Sequence, residues 1–245
     1  MCGIYGFSVK NHSRNPKSIL KEMSEKIYHR GPDQTGLYID ENIALGIQRL
    51  SILDIKNGNQ PIFSNNRRYI IVHNGEIYNY LKLKNYLQKK GYAFETNTDT
   101  EVIVNLFQHK GKKCLRDLNG MFAFAIYDLR EKTFFIARDR YGIKPFYFYY
   151  DTKQFIFASE LKAILCHESV KPSISVDAID LYLTMEYIPS PKTIFNKINK
   201  LEKGHFLLYE KSKLKKEKWY DISFTPKLIY KNENDYVNKL DALMK

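Results

Sequence analysis

Residues 121–159, MFAFAIYDLREKTFFIARDRYGIKPFYFYYDTKQFIFAS, decide the fold. They hold four short aromatic and aliphatic runs, Met121 to Asp128, Thr133 to Asp139, Pro145 to Tyr150 and Gln154 to Ser159, with polar turns such as Leu129 to Lys132 between them. Runs of this length and composition read as strands, and connections this short favour antiparallel hairpins. Upstream lie two helices that need a sheet to cover: one from about Asn79 to Lys90, stopped by Gly91, and one opened by Thr98-Asp99-Thr100-Glu101 ahead of Val102, Ile103, Leu106 and Phe107.

Nearer the N-terminus, CGIYGFSV reads as a strand from residue 2, and Asn15-Pro16 opens a helix that places Ile19, Leu20, Met23 and Ile27 on one face until Arg30-Gly31-Pro32-Asp33 breaks it. Further strands are expected at Ile43 to Leu53 and at Tyr69 to His73, the second ended by an Asn74-Gly75 turn. After residue 165 the pattern predicts a helix over Val176 to Glu186, a strand over His205 to Tyr209 and a helix over Glu233 to Lys245. Strands first, helices in the middle and hairpins after them point to a layered α+β fold rather than a regular βαβ array.

With 245 residues, 44% of them hydrophobic, the chain can bury a sizeable core and is too apolar for disorder. No apolar run approaches the roughly 20 residues that span a bilayer, and the N-terminus lacks the basic-then-apolar pattern of a signal peptide. A cytoplasmic protein without membrane contact is expected. Cys2, Cys114 and Cys166 are an odd number with no CxxC spacing, which argues against a disulfide framework and a zinc site, so no metal is expected. The net charge of +12 is only partly concentrated, in seven lysines against three glutamates between Lys200 and Lys218. That run reads as solvated surface rather than a nucleic-acid interface, which would favour arginine and interleaved aromatics.

Cys2 carries the chemistry. Cytosolic aminopeptidases remove an initiator methionine when the next side chain is small, which would leave this cysteine as the N-terminus. A thiol with an ordinary pKa of about 8.5 and an α-amine at about 7.7–8.0 then share one residue, and the amine can serve as base for its own nucleophile. His29 and His73 are not needed as bases and read as structural, while Cys114 and Cys166 read as packing residues.

Seven motifs set Cys2 in context: Cys2-Gly3-Ile4, Arg30-Gly31-Pro32-Asp33, Arg49-Leu50-Ser51-Ile52, Asn74-Gly75-Glu76-Ile77-Tyr78-Asn79, Thr98-Asp99-Thr100-Glu101-Val102, Gly120-Met121-Phe122-Ala123-Phe124 and Arg138-Asp139-Arg140-Tyr141-Gly142. In this order and spacing they resemble the glutaminase domain of class II glutamine amidotransferases, and the RLSILD run and Gly142-Ile143-Lys144-Pro145 are similar to the asparagine synthetase branch. The resemblance implies an N-terminal-nucleophile sandwich, two antiparallel sheets between helical layers, with residues 2–165 as the glutaminase domain. Residues 166–245 resemble the connecting segment that leads into an ATP-dependent synthetase domain, whose Ser-Gly-Gly-x-Asp-Ser loop is not found in this sequence.

It also implies roles. Cys2 would attack the side-chain amide of glutamine, with Asn74 and Gly75 as the oxyanion hole. Arg49 would take the α-carboxylate through its planar fork, with Leu50 and Ile52 beside it, and Glu76 and Asp99 would receive the α-ammonium. Asn97 stands where the family usually has glycine, and Arg30 to Asp33 is expected to shape a loop near the pocket. No cofactor is expected in this chain; ATP and magnesium belong to the synthetase domain, supplied in cis or in trans. Its contact surface is expected near the hairpins and residues 166–245, and a homo-oligomer is compatible with all of this. A sugar or other carboxylate acceptor and a non-catalytic amino-acid-binding module are the alternatives; a thiol kept beside Arg49, Asn74 and Asp99 tells against the second.

Overall fold

Asn15, Thr98, Ser175 and Asn232 each turn a side-chain oxygen onto a backbone N–H two or three residues ahead, and a helix follows every one. A computed structural model describes residues 1–9, 14–152, 154–224, 229–230 and 232–245. Its helices are α1 (Pro16–Lys26), α2 (Tyr80–Gln88), α3 (Asp99–Lys110), α4 (Leu161–Ile164), α5 (Val176–Met185) and α6 (Glu233–Met244). Its strands are β1 (Gly3–Ser8), β2 (Gln34–Ile39), β3 (Ile43–Arg49), β4 (Ile62–Phe63), β5 (Tyr69–Ile77), β6 (Gly120–Asp128), β7 (Thr133–Arg138), β8 (Tyr147–Tyr150), β9 (Phe155–Ala158), β10 (Ile198–Lys200), β11 (His205–Glu210) and β12 (Lys213–Lys218).

The strands form two antiparallel sheets, β10-β8-β9-β1-β3-β2 and β12-β11-β7-β6-β5-β4. Successive residues point to opposite faces, so each sheet supplies both an inner and an outer apolar layer. Ile4, Leu45, Ile47, Val72, Ala125, Phe134 and Phe157 pack between the sheets. Tyr5, Phe7 and Ala44 face outward under α1 and α4, which cover them with Ile19, Leu20, Met23, Ala163 and Ile164. Ile71, Phe124 and Ile126 face outward on the second sheet, under Leu83 and Leu87 of α2 and Val102, Ile103 and Leu106 of α3. The α+β sandwich, two antiparallel sheets between helical layers, is thus the architecture of the chain.

Two features differ from the sequence reading. Asn74-Gly75 is no turn: β5 runs through it, pairing Asn74 with Ala123 and Gly75 with Phe122. The glycine is there because a Cβ would come within 2.1 Å of the Met121 carbonyl oxygen, a constraint from a distant strand. Residues 198–218, assigned from sequence to a connecting segment after residue 165, join both sheets, β10 beside β8, β11 beside β7 and β12 beside β11. The hairpins, near which a contact surface is expected, keep most of their strand aromatics inside, Phe155 and Phe157 completely. Exposed apolar side chains recur along α5 and α6, among them Val176, Leu183, Leu240 and Leu243, and occur singly elsewhere, as at Ile55 and Leu81.

Tyr5 lies across Gly46 in the β1–β3 register, and a Cβ at Gly46 would stand 2.3 Å from the ring. Gly46→Ala overpacks this contact and is expected to destabilise the fold by about 1–3 kcal/mol. Urea unfolding followed by the fluorescence of Trp219 should show the lower midpoint; an unchanged midpoint would mean that the Tyr5 ring is free to move aside.

Candidate active site

At one end of the sandwich the inner faces run out of apolar residues. Ile4 faces the inner layer, so Cys2, two residues earlier, faces it too. On β3 the inward series Ile43, Leu45, Ile47 continues to Arg49; on β5, Ile70 and Val72 continue to Asn74 and Glu76; on β6, Ala125 and Ala123 continue back to Met121. These five side chains line a cavity of about 150 Å³, joined by Leu50, Ile52, His73, Gly75, Asp99, Thr100 and Lys144. All eight residues assigned to the site from sequence meet there, Ile52 at the rim with 61% of its surface exposed.

The edge of β5 supplies the donors. His73 N–H donates to the side-chain oxygen of Gln60 at 2.7 Å, and the Gln60 amide returns a bond to the His73 carbonyl at 3.3 Å, so this side chain stands in for a strand partner. Two pairs further on, Ile77 N–H donates to Asp99 Oδ2 at 2.9 Å. By strand alternation the N–H of Gly75 points to the same edge, between these two. Beside it, Asn74 Nδ2 is buried without an acceptor among the described residues.

Cys2 Sγ accepts from Leu50 N–H at 3.4 Å, and burial pushes the thiol up; that hydrogen bond, the N-terminal charge and Arg49 pull it back. Arg49 is aimed by two backbone carbonyls and a side-chain amide: Nη2 donates to Leu53 O at 2.8 Å and Asp54 O at 3.1 Å, and Nη1 to Asn59 Oδ1 at 3.3 Å. Across the cavity two carboxylates meet. Burial pushes Asp99 up to about 6 against the backbone bonds that favour its charge. Glu76 is raised by burial and by Asp99, with Lys144 opposing. An arginine at one end and paired carboxylates at the other make a receptor for a zwitterion, with a thiol and an orphaned amide donor beside it.

Arg30 Nε donates to the Cys2 carbonyl at 2.9 Å and Nη1 to Glu160 at 3.0 Å, while Asp33 accepts from Ser51 N–H at 2.8 Å, so the Arg30 to Asp33 loop holds both the Cys2 end of β1 and the Arg49 loop. Asn97 needs no left-handed backbone: its N–H donates to Asp54 Oδ2 at 2.9 Å, and its side chain receives Lys84 at 2.7 Å. His29 bonds Glu160 at 2.8 Å. His73, read as structural, lines the cavity; it bonds Thr100 Oγ1 at 3.1 Å, and burial, with Lys144 nearby, lowers it to about 3, which keeps the ring neutral. Sequence reasoning gave no role to Gln60, Thr100 and Lys144; Thr100 and Lys144 lay inside quoted runs, Thr98 to Val102 and Gly142 to Pro145, while Gln60 had no visible signal. Among the described residues no cluster of three His, Cys, Asp or Glu side chains could hold a metal, and no helix is long and apolar enough to cross a membrane.

The profile of the family described as "Glutamine amidotransferase domain" matches residues 1–220. Asparagine synthetase [glutamine-hydrolyzing] 1 of Bacillus subtilis is 37% identical over 83% of this chain and 33% of its own length. Asparagine synthetase B of Escherichia coli is 41% identical over 67% of this chain and 30% of its own. The chain therefore spans about a third of the length of these two relatives. Among solved structures, glutamine phosphoribosylpyrophosphate amidotransferase from B. subtilis superposes with a TM-score of 0.64 at 21% identity, over 89% of this chain and 49% of that one, a likeness of fold.

Asp99 sets a pH test. Its pKa of about 6 lies above the ordinary 3.8, so charging it weighs against the folded state. Whatever stability its neutral form brings is complete only below pH 3.8 and is lost as pH rises through 6. Asp99→Asn should raise the thermal midpoint at pH 8 and do so much less at pH 4. An equal shift at both pH values would show that charge is not the cause.

Proposed function

We propose, from the premise that this chain belongs to the class II glutamine amidotransferase family, that its cavity hydrolyses the side-chain amide of glutamine to glutamate and ammonia. Met1 precedes the nucleophile and lines the cavity, and its removal exposes the α-amine of Cys2. The amine takes the thiol proton as Sγ attacks the amide carbon. Charge that develops on the amide oxygen is held by Asn74 Nδ2 and Gly75 N–H. Collapse of the tetrahedral species expels ammonia, which carries away the proton from the α-amine and leaves a γ-glutamyl thioester. Water then cleaves the thioester to glutamate and restores the thiol. Arg49 grips the α-carboxylate, with Leu50 and Ile52 framing it, and Glu76 and Asp99 take the α-ammonium.

The orphaned Asn74 amide carries this reading, because a buried donor without an acceptor costs about 1–3 kcal/mol unless a ligand completes it. We assign the ammonia to an ATP- and magnesium-dependent synthetase partner that converts aspartate to asparagine, in keeping with the names of the relatives. The apolar side chains that α5 leaves exposed, including Val176, Tyr182 and Leu183, are the surface we assign to that partner. Three free thiols fit the reducing cytoplasm in which we place the reaction.

A diazo-ketone analogue of glutamine should add one label to the Met1-free protein, at Cys2, by intact mass. Asn74→Ala is expected to lower kcat by about 10²–10³-fold with little change in KM, whereas Arg49→Lys should mainly raise KM. Absence of label together with absence of ammonia release would overturn the glutaminase assignment. A change in KM alone for Asn74→Ala would move that residue from the oxyanion to substrate positioning.

A further inference from the structure

The turn from Arg138 to Lys144 is wired more heavily than a surface connection requires. Asp139, completely buried, accepts four backbone N–H groups: Tyr141 and Ile143 on Oδ1, both at 3.0 Å, and Phe122 at 3.2 Å and Lys144 at 3.0 Å on Oδ2. Arg138 ties down the carbonyls, Nε to Lys144 O at 2.7 Å, Nη2 to Gly142 O at 2.6 Å and Nη1 to Leu201 O. Gly142, at φ +70°, supplies the left-handed residue that lets the chain reverse inside this frame. The peptide groups of Lys144 are thus fixed at both N–H and C=O, and its side chain, 4% exposed, lines the cavity that holds Cys2 and Glu76.

Nζ of Lys144 donates to the thioether of Met1 at 3.1 Å. A thioether is a weak acceptor, and a buried ammonium is costly without a strong one. Removal of Met1 takes even that acceptor away. The charges of the cavity show what replaces it, given the glutamine site proposed above. The α-carboxylate of a bound zwitterion neutralises Arg49, but its single α-ammonium faces two carboxylates, Glu76 and Asp99, and leaves one negative charge over. We propose that Lys144 is a positioning residue that supplies the missing positive charge, acting through Glu76 to hold the ammonium-binding end of the cavity charged and in place.

The groups that bear on Glu76 are Asp99 from α3, the Cys2 thiol from β1 and Lys144 from the turn after β7; His73 on its own strand is neutral. Lys144 in turn feels Glu76, Arg30, Cys2 and Asp139. Loss of the cation should make Glu76 harder to ionise, so that glutamine binding fails at a higher pH.

The test is glutaminase kinetics of Met1-free protein from pH 5 to 9. Lys144→Met should raise KM about 10-fold or more with kcat within about threefold, and should move the acid limb of kcat/KM upward by about one pH unit. Lys144→Arg, which keeps the charge, should restore both. In a Glu76→Gln background, Lys144→Met should shift the limb no further. A KM loss with an unmoved limb and no rescue by arginine would make the residue merely structural and overturn the proposal, as would a fall in kcat at unchanged KM. Wild-type protein that neither releases ammonia nor takes the diazo-ketone label defeats the glutaminase reading itself; a labelled, active wild type with a Lys144→Met variant that behaves like it defeats only the role of Lys144.

Discussion

The two-residue period of the strands governs both the core and the site. Three strands that bury Ile4, Ile47 and Val72 between the sheets must present their next inward residues at the end of that layer, and those are Cys2, Arg49 and Asn74. A one-residue slip in the pairing of β1 with β3 would turn the thiol toward α1 and leave the arginine facing an empty end. The apolar contacts between the sheets thus set the register on which the functional side chains depend. Gly75 adds a second constraint: its missing side chain lets β6 approach and leaves the outer wall, with His73 and α3, close behind the inner one.

Much of this was legible because caps and alternation are local. Asn15 and Thr98 announce α1 and α3, and the aromatic runs after Met121 announce their hairpins. Cys2, Arg49, Asn74 and Asp99 were legible as a set through a resemblance, while their convergence followed only from the pairing of β1 with β3 and the packing of β5 and α3 from the facing sheet. Asn74-Gly75 misled because the same dipeptide that favours tight turns is required here by the Met121 carbonyl, 46 positions away in the chain and unreadable from neighbours. β12 was read only as lysine-rich surface, since a rim strand solvated on most of its length has no apolar alternation to show. Lys144 was seen as part of a motif without a role, because where its side chain goes depends on Arg138 and Asp139 closing the turn.

Several groups at this site are held in states they would not choose in water. Asp99 resists its charge, His73 is kept neutral, and Asn74 keeps an unanswered donor. None of these helps the fold. The cost is carried by layers in which residues such as Phe122, Phe146 and Phe157 are completely or almost completely removed from water.

The lysine run bears on how the protein behaves in crowded solution. Among the described residues β12 has a strand partner on one side alone, at the rim of the second sheet, where another strand could add and the sheet could grow into a fibre. Lys213, Lys215, Lys216 and Lys218 line that rim, and an identical chain approaching it would meet its own charges face to face. Discharge of these lysines, by strong alkali or by acetylation, would remove that repulsion, so the colloidal stability of the protein depends on amines far from its chemistry.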